Sequence, residues 1–278
     1  MTAPSPDTPA PVGHGFAAAV QPVSAHTQVK TDVAGLEAGP VAIDAHGFAM
    51  PAYRAQPLGG TNLPVMIVVS EIFGVHEYIA DVARRFAKAG YLAIAPSLFE
   101  RQGDALSYAD MGTLMKEVVA RVPDAQVMGD LDATFAWAGA HGGDLARVGL
   151  NGFCWGGRVA WLYAAHQPAL KAAVAWYGRL QGAQDALRPA HPVDRVAQLH
   201  APVLGLYGAE DEGIPVASVQ AMEAALATGP AAARASRFQL YPGAGHAFHA
   251  DYRPSYRADA ARDGWRRALD WFAANGVR

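Results

Sequence analysis

Gly149-Leu150-Asn151-Gly152-Phe153-Cys154-Trp155-Gly156-Gly157 puts the only cysteine of the chain at the centre of a G-x-C-x-G pattern, behind an apolar run and ahead of a helix-like segment. This is the layout of a sharp strand-to-helix turn that lifts a nucleophile out of a sheet, with sulfur where serine oxygen is more usual. Gly152 and Gly156 leave room for the turn and for the strained backbone its central residue must adopt. A thiol held there faces the positive end of the following helix, which favours thiolate and the anion formed when an acyl group is attacked. A lone cysteine is otherwise a small buried hydrophobe, but core packing gives no reason for this glycine spacing. The stretch therefore predicts an acyl-transfer nucleophile at a strand end.

Outward from the turn, apolar runs alternate with segments of helical period, the pattern of an α/β fold with a mostly parallel central sheet and helices on both faces. Residues 64–70 form the continuous apolar run that a strand buried on both faces requires, and it ends at Ser70-Glu71-Ile72-Phe73-Gly74. Ile79, Val82, Ala83, Phe86 and Ala87 then recur at helical spacing up to Gly90. Residues 91–96 predict a strand that runs into the polar loop Phe99-Glu100-Arg101-Gln102-Gly103-Asp104. Residues 41–44 and 48–55 read as a leading hairpin, and helical segments are expected up to Val122 and from Pro123-Asp124 onward. Downstream, 172–177, 202–207 and 237–241 are further strands. Trp265, Ala268, Leu269 and Phe272 mark a closing amphipathic helix, with Pro254 near its first position. Residues 181–200, rich in Ala, Pro and Asp without a period, read as a long excursion over the active edge. No composition break divides the chain, so a flexible N-terminal segment at 1–38 and a single domain at 39–278 are expected.

Composition narrows the function classes. A net charge of −3 leaves no basic surface for nucleic acid, and no apolar stretch approaches the roughly 20 residues that cross a membrane. One cysteine excludes an intramolecular disulfide and argues against a zinc cluster, which fits a reducing, cytoplasmic setting. Residues 1–11 carry no Lys or Arg, unlike the basic start of a secretory signal. Residues 152–157 do not satisfy G-x-G-x-x-G, which disfavours a dinucleotide site.

A thiol nucleophile needs a base, and that base needs an acid to hold its tautomer. Past the strand at 202–207 lies Gly208-Ala209-Glu210-Asp211-Glu212-Gly213, and past the strand at 237–241 lies Pro242-Gly243-Ala244-Gly245-His246-Ala247-Phe248. In an open parallel sheet such loops gather at the carboxyl edge, where the turn bearing the cysteine also opens. Cys154, Asp211 and His246 form the expected triad, with Glu210 and Glu212 as rivals to Asp211. Glu71 could equally cap the helix that begins near His76. Tyr177, at a strand end, packs as core or lines the pocket.

These motifs together resemble the dienelactone hydrolase family, the carboxymethylenebutenolidases. The resemblance rests on Gly152-Phe153-Cys154-Trp155-Gly156-Gly157, Glu71-Ile72-Phe73-Gly74-Val75, Phe99-Glu100-Arg101-Gln102-Gly103, Asp211 in its loop, and Gly243-Ala244-Gly245-His246. It implies an α/β-hydrolase fold, a Cys-His-Asp triad, no metal or cofactor, and small lactone or ester substrates that carry a carboxylate. It further implies that Glu71 contacts the resting thiol and helps deprotonate it, that the backbone N–H groups of Ile72 and Trp155 form the oxyanion hole, and that Arg101 holds the substrate carboxylate. The family's second arginine, a few residues past the histidine, has no clean counterpart in His246-Ala247-Phe248-His249-Ala250-Asp251-Tyr252-Arg253; His249 and Arg253 are the candidates to replace it. The alternatives to a carboxylate-bearing lactone are a thioester or neutral ester, or a non-catalytic binding or thiol redox-sensing protein.

Overall fold

The computed structural model describes residues 15–21 and 23–278. An eight-stranded sheet runs in the order β1-β2-β4-β3-β5-β6-β7-β8. Strands β1 (Leu36–Ala45) and β2 (Phe48–Pro57) form the leading hairpin, turning at His46 and Gly47, both with positive φ. Strand β2 pairs antiparallel with β4 (Leu92–Pro96), and every later pairing is parallel. Strand β3 (Leu63–Val69) lies at the centre, with Val65 through Val69 wholly buried, as its apolar run demands.

From β3 the chain crosses through α1 (Glu77–Lys88) to β4 on one side, then returns through α2 (Met111–Glu117) and α3 (Asp124–Ala140) to β5 (Gly143–Phe153) on the other. This reversal makes the carboxyl ends of β3 and β5 the topological switch point, where a crevice opens. Helix α4 (Trp155–His166) leads from there to β6 (Ala172–Trp176), and β7 (Val203–Gly208) and β8 (Arg237–Tyr241) complete the sheet. The apolar stripe of α1 is buried, and its Phe86 packs against Trp265 and Phe272 of the closing helix α7 (Ala258–Ala274) on one face. Helices α3 and α4 meet on the opposite face, where Tyr163 donates to Asp132. Among the described residues no helix is long and apolar enough to cross a membrane.

Two local expectations need correction, and one stretch had none. Helix α7 starts at Ala258 after Arg257, so Pro254 sits in the preceding turn rather than at the first helical position. Helices α5 (Val216–Ala227) and α6 (Ala231–Ala235), to which the sequence reading assigned nothing, fill the stretch between β7 and β8. The described part of the leading segment is also tied to the body rather than loose. Glu77 N–H donates to Gly15 O, Ser24 N–H to Tyr252 O, and Thr31 N–H to Asp81, while the Phe16 ring packs on His76 and Tyr252. The buried carboxylate Asp81 needs such donors, a requirement that local composition does not reveal. The loose tail expected over residues 1–11 lies outside the described residues.

Candidate active site

Cys154 stands between β5 and α4 with φ 52° and ψ −111°, a backbone conformation that L residues seldom adopt. The turn is pinned from both sides: Cys154 N–H donates to Trp176 O at 2.9 Å, and Arg158 N–H donates to Cys154 O at 3.1 Å. A Cβ on Gly152 would come within 2.0 Å of Gly156 O, and one on Gly156 within 2.4 Å of Val69 O. The glycine spacing thus answers to a close crossing of α4 over the ends of β5 and β3.

The loops after β7 and β8 are locked together over the sheet edge. Glu210 N–H donates to Ala244 O and Ala209 N–H to Tyr241 O, and a side chain at Gly208 would strike Ala244 O. This brings His246 Nε2 to 3.1 Å from Cys154 Sγ and His246 Nδ1 to 2.7 Å from Asp211 Oδ2. Asp211 is buried, and its other oxygen accepts from the N–H groups of Gly213 and Ile214. Its neighbours Glu210 and Glu212 are exposed. Tyr177, at φ 38°, sets its ring edge-on to the imidazole at 5.1 Å.

Burial by itself would lower the pKa of His246. The bonds to Asp211 and Cys154 outweigh it and push the imidazole up to about 10. The arrangement offers a base, an acid and a nucleophile along one hydrogen-bonded line.

Two lobes meet at Cys154, Ile72, Tyr177 and His246. The larger, about 570 Å³, is also lined by Trp155, Asp211, Arg158, Arg179, Arg188 and His191. The smaller, about 210 Å³, is lined by Glu71, Phe73, Tyr78, Tyr252 and Arg253. Ile72 lies in the turn after β3, and Trp155 is the first residue of α4. Neither N–H is engaged in the turn and cap hydrogen bonds of the described residues. Both are thus candidates to donate to an oxyanion.

Three of the candidate residues make contacts other than those expected of them. Arg101 donates to Asp130 at 2.8 Å and to Ala45 O at 2.7 Å, with its guanidinium over the Phe48 ring; it lines neither lobe. The physical reason is Asp130, a carboxylate of α3 whose side chain is 2% exposed and needs a cationic partner. His249 is buried, receives or donates a 2.6 Å hydrogen bond with Tyr78, and stacks on Phe153. Burial, assisted by nearby Arg85, drives its pKa well below the usual imidazole value, so it stays neutral and cannot pair with a carboxylate as a cation. Glu71 is hydrogen-bonded to His76 and to the Tyr252 hydroxyl, while the thiol is bonded to His246. Its Oε2 is buried with no hydrogen-bond partner among the described residues. Arg253 does reach the smaller lobe, above the Phe73 ring.

The arginines of the larger lobe are what sequence reasoning missed, although the excursion at 181–200 pointed to this wall. Arg101→Met should lower folding stability by about 3 kcal/mol, because Asp130 loses its partner, and change kcat/KM less than about twofold. Urea unfolding and steady-state kinetics on one preparation check both halves.

With this geometry in view, residues 50–276 match the model of the "Dienelactone hydrolase family". The chain is 58% identical over 264 residues to a "Putative carboxymethylenebutenolidase" of Methylorubrum extorquens, covering 95% of this chain and 90% of that protein. It is 34% identical to a "Probable 2-oxo-3-(5-oxofuran-2-ylidene)propanoate lactonase" of Bradyrhizobium sp., over 82% of this chain and 91% of the other. A crystal structure described as a "Putative Dienelactone Hydrolase" from Klebsiella pneumoniae superposes with TM-score 0.82 at 55% identity, covering 86% of this chain and 98% of that one. The chain is an α/β-hydrolase acting on carboxylic ester bonds. It belongs to the dienelactone hydrolase family.

Proposed function

We propose that the protein opens small carboxylate-bearing lactones or activated esters through a thioester on Cys154, without a cofactor. The observation that carries this reading is the line from Cys154 Sγ through the His246 imidazole to Asp211, at 3.1 and 2.7 Å, at the junction of two lobes. The sulfur attacks the acyl carbon while the N–H groups of Ile72 and Trp155 receive the oxyanion. The intermediate collapses, the ring C–O bond breaks, and the proton on His246 Nε2 passes to the departing enolate oxygen. A thioester and a neutral imidazole result. Water then gives a proton to Nε2 as it attacks the thioester, Sγ leaves as thiolate, and the acid departs. Asp211 holds the tautomer and supports the imidazolium at each return. A reducing, cytoplasmic setting keeps such a thiol free.

Sulfur leaves as readily as it attacks, so it is expelled again unless the substrate's own leaving group departs faster. Enol lactones meet that condition. The name of the Bradyrhizobium relative describes such a ring, an ylidene furanone with a propanoate side chain. A neutral ester or thioester is the second reading, favoured by the positions of Arg101 and His249 outside both lobes. The expected preference, on the order of 10³ in kcat/KM for an enol lactone over a saturated lactone of the same size, follows from the leaving group. Initial rates on that pair and on a peptide amide test it; equal rates would contradict the thioester route.

A further inference from the structure

We propose that Arg179 is the residue that selects an anionic substituent on the substrate, by pairing its guanidinium with a carboxylate in the larger lobe. The inference rests on the hydrolase reading above and adds the group that reads the substrate's charge.

Three arginines line that lobe together with Cys154 and His246, and two are already engaged. Arg158 makes a two-pronged pair with Asp124 at 2.7 and 2.8 Å and also donates to Ala190 O. Arg188 is held by Asp185 at 2.6 Å, which also neutralises the carboxylate on this wall. Arg179 is exposed and, among the described residues, has neither a side-chain hydrogen bond nor a salt bridge. A free guanidinium beside a nucleophile is a fork for a carboxylate, with two parallel donors and a charge that does not titrate.

Its backbone is fixed against the helix that follows Cys154. A Cβ on Gly178 would sit 2.2 Å from the carbonyl carbon of Gly157, one turn into α4, so the chain before Arg179 presses directly on the helix that Cys154 begins. Tyr207 donates to Gly178 O at 2.8 Å, and Tyr177 N–H donates to Leu206 O at 2.9 Å. The smaller lobe is the poorer anion site. Its Arg253 is likewise without a side-chain hydrogen bond or salt bridge among the described residues, but it lies over Phe73 and shares the lobe with Glu71, whose Oε2 has no partner, whereas Asp185 and Asp211 of the larger lobe are held by Arg188 and His246.

The test compares one enol lactone carrying a carboxylate with its carboxamide, which has the same shape without the charge. In Arg179→Met, kcat/KM for the carboxylate should fall about 30-fold and that for the carboxamide less than about threefold, with Arg179→Lys recovering part of the difference. An unchanged carboxylate-to-carboxamide ratio in Arg179→Met overturns the proposal while leaving the hydrolase reading intact. The same fall in Arg253→Met but not in Arg179→Met also overturns it and moves the anion to the smaller lobe. A parent enzyme that turns over neither lactone removes both readings together.

Discussion

Cys154→Ala is expected to retain no more than about 10⁻⁴ of the parent kcat on an enol lactone, because the other members of such a unit cannot form the covalent intermediate alone. Alanine occupies the same turn, with its methyl where the Cβ of Cys154 stands, so the glycine crossings around it are undisturbed. Near-parental thermal unfolding would establish that the fold survives. A binding or redox-sensing protein would lose thiol reactivity in this variant and lose no turnover, since it would have none to lose. Parental hydrolysis by Cys154→Ala would remove the thioester route altogether.

The second large effect concerns Asp211. Asp211→Asn is expected to lower kcat by about 10³ to 10⁴ while leaving the Sγ–Nε2 geometry in place, because an amide presents the wrong hydrogen-bonding face to Nδ1–H. It should also change how stability varies with pH. The folded pKa of His246, about 10, lies above the usual imidazole value of 6.5. A raised folded pKa means that the folded state binds the proton more tightly. The associated stability is full below about 6.5 and fades as pH rises toward about 10. The Tm advantage of the parent over Asp211→Asn should therefore be largest near pH 6 and shrink steadily toward pH 10.5, as scanning calorimetry across that range would record. A gap that widened with rising pH would contradict this sign.

The nucleophile turn was legible because its requirement is steric and local. Only glycine fits where a Cβ at 152 or 156 would meet backbone oxygen, so the pattern speaks without tertiary information. Strand β3 was legible for a similar reason, since burial on both faces leaves no polar residue in its run. The acid could be narrowed only to Glu210, Asp211 or Glu212 from sequence. The choice among them depends on which carboxylate turns inward to meet Nδ1, and that is decided by the loop crossing at Gly208. Of the two arginines the sequence singled out, Arg253 lines the smaller lobe and Arg101 lines neither, and the arginines of the larger lobe were not legible. Arg101, Arg158 and Arg188 are taken by Asp130, Asp124 and Asp185, pairings of which only the last is local in sequence. Among the three arginines of the larger lobe, Arg179 stands out only once those pairs are counted.

The central claim is that thiol, imidazole and carboxylate act as one proton-sharing unit. The most direct measurement is the NMR titration of the His246 ring Cε1–H signal, assigned by its disappearance in His246→Gln, in the parent and in Asp211→Asn. The account predicts a midpoint near pH 10 in the parent and a clear downward shift in Asp211→Asn. A parent midpoint near 6.5, unmoved by the Asp211 substitution, would contradict it.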